Sequence, residues 1–193
     1  MMLSISTQIL IAVTIILFIL FVVFFDKKTA KFFVNFKYKR MPVLSPVPIP
    51  TKDRGILRGI WVWLTCSRKW ELQEDFHFVI KGRDCIIPKG FIFDGASIPR
   101  IFWMFLSPVG ILLIGGMIHD FGYKYQTYLT KDKNILGMMS QRHIDIIFRE
   151  INISVNGLVV PNYFAFHALR LFGFLAWRKH RKKHSNIADF QKI

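Results

Sequence analysis

Four ionisable residues stand in apolar surroundings, where charge is costly unless it is paired, hydrogen-bonded or bound to metal. Asp94 follows Phe91-Ile92-Phe93 and opens the run Asp-Gly-Ala-Ser-Ile-Pro-Arg. His119-Asp120 closes the apolar stretch Val109–Ile118, and Asp145 lies among Ile144, Ile146, Ile147 and Phe148. If the elements carrying them pack together, His119, Asp120 and Asp145 need a shared explanation. Arg100 and Arg170 are the evident counter-charges, and Ser97 is a polar neighbour. Asp94, His119, Asp120 and Asp145 are therefore the candidate catalytic cluster, with Ser97, Arg100 and Arg170 in support. The chemistry such a set can do is hydrolysis. A histidine acts as general base, a carboxylate orients it, and a divalent metal activates water.

Each residue also has a simpler use. Asp94 before Gly95 suits a turn, Ser97 before Ile98-Pro99 suits a helix cap, and Asp120 could pair with Arg142 or Lys124. No Cys-x-x-Cys or His-Glu-x-x-His spacing announces a metal site. Gly115-Gly116 lies in an apolar helical run, where it permits close packing rather than phosphate binding.

The elements that must position these residues follow from hydrophobic period. Phe76, Phe78 and Ile80 alternate with His77 and Val79, the pattern of a half-buried strand. Cys85-Ile86-Ile87 and Phe91-Ile92-Phe93 flank the turn-like Pro88-Lys89-Gly90, and Ile56–Leu64 is a further strand candidate. From residue 98 the period becomes helical. Ser107-Pro108 is a helix start, with the helix running to about Tyr125. A second helix is expected at about Met139–Ile151 and a third at about Pro161–Arg181. The expectation is an α+β fold: an N-terminal transmembrane helix, a small antiparallel sheet at about 56–93, then a cluster of about four helices.

The transmembrane helix rests on a charge step. The first 25 residues carry no charged side chain, and from Ile9 to Phe25 only Thr14 is polar. Residues 3–25, at about 1.5 Å each, match the ~30 Å apolar core of a bilayer. Lys27, Lys28, Lys31, Lys37, Lys39 and Arg40 follow at once. No basic residue precedes the run and no small-residue cleavage site ends it, so an anchor is favoured over a signal peptide. Basic residues stay on the cytoplasmic side. That predicts a single pass with the N-terminus out and the domain on the cytoplasmic or virion-interior side. Residues 26–50, with four prolines in 41–50, are expected to be a basic juxtamembrane segment and a semi-rigid arm. Residues 51–193 are expected to be one domain with a basic C-terminal tail.

The formal charge of +15, from 27 basic and 12 acidic residues, favours anionic partners: lipid headgroups or nucleic acid. The second basic cluster is Arg178, Lys179, Arg181, Lys182 and Lys183, beyond Phe172, Phe174, Leu175 and Trp177. Cys66 and Cys85 form no disulfide framework and agree with a reducing compartment. Twenty Phe and five Trp predict an aromatic-rich core.

Four blocks in order resemble domain-of-unknown-function family 1353, short proteins of phages, prophages and bacteria. They are Phe91–Arg100, His119-Asp120-Phe-Gly-Tyr123, Ile144-Asp145 with Phe148, and Ala168–Gly173 with Trp177. The resemblance covers about residues 76–177 and maps the family's recurrent polar positions onto Asp94, Ser97, Arg100, His119, Asp120, Asp145 and Arg170. This chain has Phe93 where members usually have Thr, and Phe121-Gly122-Tyr123 where many have Tyr-Leu-Tyr. The anchor is outside the family pattern. His119-Asp120 also resembles the histidine-aspartate phosphohydrolase signature, for which His77 is the only upstream histidine and Asp145 the candidate distal acid.

Two functions from different classes follow. The first is a membrane-anchored phage or prophage protein, a virion or membrane-associated structural or accessory component. Its basic surface would face anionic lipid, nucleic acid or other virion proteins. The second is a metal-assisted hydrolase, with cell wall as a candidate substrate and a divalent metal held by the His/Asp cluster. Convergence on an open pocket favours chemistry, and mutual pairing in a closed core favours architecture.

Overall fold

The computed structural model describes residues 34–49, 55–65, 69–94, 110, 112–182 and 187, and within the first 33 residues only 4, 8–10, 13–14 and 16–17. Ser97, Arg100, Lys27, Lys28, Lys31, Lys183, Cys66 and the expected helix start at Ser107-Pro108 lie outside the described residues, as does most of the expected membrane helix.

The fold is α+β with two antiparallel sheets. Strands β1 (Lys37–Tyr38), β4 (Phe76–Ile80), β5 (Arg83–Ile87) and β7 (Leu129–Thr130) form the first, in the order β1-β4-β5-β7. Strands β2 (Leu44–Val47), β3 (Lys69–Leu72) and β6 (Ile92–Phe93) form the second, in the order β2-β3-β6. In β4 the alternation is realised: Phe76, Phe78 and Ile80 are buried and His77 is exposed. The β4–β5 hairpin turns through Lys81 (φ 52°) and Gly82 (φ 73°), with Ile80 opposite Arg83. A two-residue turn with both central φ angles positive matches the right-handed twist of the strands it joins.

Two expectations about this region are corrected. Residues 56–65 form a helix, α1 (Ile56–Thr65), not a strand. A short apolar run does not distinguish the two by pattern; here Gly55 starts the helical ladder by accepting from Gly59 N–H at 2.8 Å. The sheets are also not confined to 56–93. Part of the stretch expected to be a free arm joins them, since Lys37 and Tyr38 pair with Val79 and Phe78, and Leu44–Val47 pairs along β3. Val34 and Phe36 are buried in the core. Pro46 is tolerated because β2 is an edge strand, where a missing N–H breaks no ladder on the open side.

Among the described residues three helices lie beyond β6, with β7 between the first two: α2 (Leu113–Tyr125), α3 (Gln141–Asn156) and α4 (Val159–Lys182). Ser140 caps α3 by accepting from His143 N–H at 3.3 Å, and Gly157 (φ 69°) ends it in the left-handed conformation that glycine adopts freely. One apolar cluster runs from Phe36, Phe76 and Phe78 through Phe91 and Phe121 to Ile147 and Ile151, so both sheets share a core with α2 and α3. Phe91 meets Phe121 edge-on with centroids 5.1 Å apart. This is the aromatic core the composition implied.

Candidate functional site

α2 and α3 pack against each other, and α4 covers both. Residues 115, 119 and 123 lie one turn apart on one face of α2. That face meets α3, and what lies between is polar. His119 Nε2 is 2.9 Å from Asp145 Oδ1. Tyr123 donates its hydroxyl to the same oxygen at 2.6 Å, and Arg170 of α4 donates Nη1 to Asp145 Oδ2 at 2.7 Å. Asp145 is fully buried. A carboxylate there is stable only because three donors from two other helices converge on it.

The other ring nitrogen of His119, Nδ1, faces Asp120 Oδ1 at 3.8 Å. Asp120 in turn lies beside Asp94, which stands at the exposed end of β6. β6 packs on α2, which brings Asp94 to this position. The structure thus brings Asp94, His119, Asp120, Asp145 and Arg170 into one chain of contacts. Asp120 pairs with its neighbour His119 and with Asp94, while Arg181 reaches the carbonyl of Lys124.

The electrostatics follow from this geometry. Burial alone raises Asp145, but His119, Tyr123 and Arg170 together hold it below the ordinary carboxylate range. Burial disfavours a charged His119, yet Asp120 and Asp145 on its two nitrogens outweigh that and raise its pKa. Asp120 is pushed up to about 7, first by burial and then by the Asp94 charge. The charged forms of Asp145 and His119 are thus favoured over their ordinary states, while that of Asp120 is disfavoured. His119 Nε2 is engaged by Asp145, while Nδ1 stands 3.8 Å from Asp120 Oδ1, beyond hydrogen-bond distance.

Four participants were given no site role from the sequence. Tyr123, quoted only as part of the His119–Tyr123 block, donates to Asp145 and accepts from Gln141 Nε2 at 3.1 Å. Gly173 of α4 makes room for it, because a Cβ there would stand 2.6 Å from the Tyr123 hydroxyl. Arg149 is fully buried, with Nε and Nη2 on Glu150 Oε1 at 2.9 and 2.7 Å and its guanidinium 4.5 Å from the Tyr163 ring centroid. Polar residues every third or fourth position along α3 (Gln141, Asp145, Arg149, Asn152) were the signal available for the last of these.

Among the described residues no group of three or more His, Cys, Asp or Glu side chains is placed to hold a metal ion. His77, the upstream histidine considered for such a role, is exposed on β4 opposite Ile86.

Two of the cations assigned to anionic partners are engaged within the protein. Arg40 pairs with Glu74 on the surface. Arg181 donates Nη2 to the carbonyls of Tyr123 and Lys124 at 2.5 and 2.9 Å and lies 4.7 Å from the Trp177 centroid. It satisfies carbonyls left open at the C-terminal end of α2, a favourable place for a cation. Arg178, Lys179 and Lys182 are exposed, as are Lys37 and Lys39.

The family model described as "Protein of unknown function (DUF1353)" matches residues 70–168, taking in Asp94, His119, Asp120 and Asp145 and stopping just before Arg170. No curated protein and no solved structure matches the chain.

Proposed function

The chain belongs to the DUF1353 family, whose description names no activity, and from that footing we propose that it is a membrane-anchored structural or accessory protein of a phage or prophage. One observation carries the reading. The described positions Gln8–Leu10, Val13, Thr14, Ile16 and Leu17 are helical, and Ile9, Leu10, Val13, Ile16 and Leu17 are 45% to 67% exposed. Five large apolar side chains left exposed at helical positions suit a nonaqueous environment. The single hydroxyl among them is already satisfied, since Thr14 donates to the Leu10 carbonyl at 2.8 Å. Lipid imposes that requirement on every polar group it surrounds.

In this reading residues 3–25 span the bilayer once. Lys27, Lys28, Lys31, Lys37 and Lys39 rest at the anionic headgroups, and the folded domain sits on the same side. The closed His119–Asp145–Arg170 network supports an architectural role over catalysis: it joins α2, α3 and α4 and spends its donors on one another. The membrane surface is the anionic partner that the anchor brings within reach; nucleic acid or other virion proteins would meet the remaining basic surface.

Alkaline carbonate extraction tests the anchor. The full chain is expected to stay with the membrane pellet, because carbonate strips electrostatically bound proteins and leaves spanning helices in place. Release of most of the chain into the supernatant would overturn the reading.

A further inference from the structure

α4 has two faces that the fold uses differently. Asn162, Tyr163, Ala165, Phe166 and Gly173 are buried against the domain, and Arg170 reaches Asp145 from the same side. At 100° per residue, Val160, Leu171 and Leu175 lie opposite, where they are 46%, 67% and 62% exposed, with Phe172 flanking them at 66%. The next residues in that outward register are Arg178 and Lys182, both exposed. Arg181, on the inward side, is instead spent on the carbonyls of α2. The outer face is therefore an apolar stripe that ends in cations, while the inner face is locked to the protein.

We infer that the outer face of α4 lies in the plane of an anionic bilayer surface, with Leu171, Phe172 and Leu175 among the upper acyl chains and Arg178 and Lys182 on the headgroups. The inference deepens the membrane-anchored reading and rests on it for the nearness of the surface. α4 is long and apolar enough by length and composition to cross a membrane. Asn162, bonded to Asn156, and the Arg170–Asp145 pair tie it to α3, and Arg181 ties it to the α2 carbonyls, so it lies on the surface instead of spanning. Helices with a cationic flank beside bulky apolar residues bind interfaces in this way. Charge selects the occupant. A second copy of this chain would set like cations against each other in a protein of net charge +15, whereas anionic headgroups neutralise them.

The test uses the full chain in sealed vesicles, carrying a photoreactive benzophenone amino acid at Leu171 or Leu175, with Asp132 as an exposed control on the loop after β7. In phosphatidylglycerol vesicles lipid adducts should form at 171 and 175 in at least about tenfold excess over 132. Phosphatidylcholine vesicles, or Arg178→Gln with Lys182→Gln, should cut the yield by about tenfold, as the loss of two surface cations implies. Equal yields at the three positions, adducts to a second copy, or adducts to residues 9–25 of the same chain would each overturn the inference. Carbonate extraction reports on the anchor alone. A chain that resists extraction but gives no adducts keeps the anchor and loses this docking face, and a chain that is extracted yet gives adducts does the reverse.

Discussion

Asp145→Asn should destabilise the domain by about 3 kcal/mol, near the lower end of the range for breaking a buried ion pair. The side chain is fully buried and collects His119, Tyr123 and Arg170. An amide keeps the shape but loses the charge, and its NH2 group confronts at least one of the three donors. Arg170 is about one-third exposed and can turn toward water, which reduces the penalty. His119, 6% exposed, has no such escape. Asp120→Asn should behave differently. Asp120 is pushed up to about 7, so near pH 6 the native carboxyl is already largely neutral and an amide replaces it at a cost of about 1 kcal/mol or less. Urea unfolding of both variants in detergent at pH 6, followed by tryptophan fluorescence, gives the comparison. Equal losses, or a greater loss for Asp120→Asn, would mean that Asp145 is not the hub.

Gly115→Ala should cost about 1–3 kcal/mol, although alanine is the better helix former by about 1 kcal/mol. A Cβ at position 115 would stand 2.3 Å from Asn152 Nδ2 and 2.4 Å from Oδ1. Asn152 is fully buried, and neither its Nδ2 nor its Oδ1 has a hydrogen-bond partner among the described residues. It lies directly against Gly115 of α2, so the helices must separate or the amide must find another rotamer in a packed core. Asn152→Ala removes the obstruction. The double variant should therefore be more stable than Gly115→Ala alone, with a coupling of at least about 1 kcal/mol. Thermal unfolding of the four proteins of the cycle measures it. Strict additivity would place the cost of Gly115→Ala elsewhere.

The ionisable cluster was legible because charge inside an apolar run demands a partner. His119, Asp120, Asp145 and Arg170 could be nominated from that demand alone. Tyr123 and Gln141 could not, because an aromatic in an apolar helix and a polar residue at a helix start both look ordinary until the neighbouring helix is in place. The β4 strand was legible from its period of two, and the bodies of α2, α3 and α4 from their helical period, although α2, expected to run from Ser107-Pro108, takes Leu112 as its N-cap and begins at Leu113. α1 was not, because ten mostly apolar residues satisfy either pattern. β1 and β2 were hidden for another reason. Two residues carry no period, and prolines at 42, 46, 48 and 50 suggest an unpaired arm unless the strand is known to lie at an edge. The double use of the basic C-terminal run was equally invisible, since only the packed structure turns Arg181 inward while Arg178 and Lys182 face out.

The central claim is that residues 3–25 cross a bilayer and hold the domain on the side of Lys27–Arg40. Protease accessibility in sealed membranes tests it most directly, using inverted vesicles, whose cytoplasmic face is outward, and right-side-out vesicles in parallel. The account predicts that added protease digests the Thr51–Ile193 region in the inverted vesicles and spares it in the right-side-out ones, because translocating six closely spaced cations is unfavourable. Protection in the inverted vesicles with digestion in the right-side-out ones would contradict it.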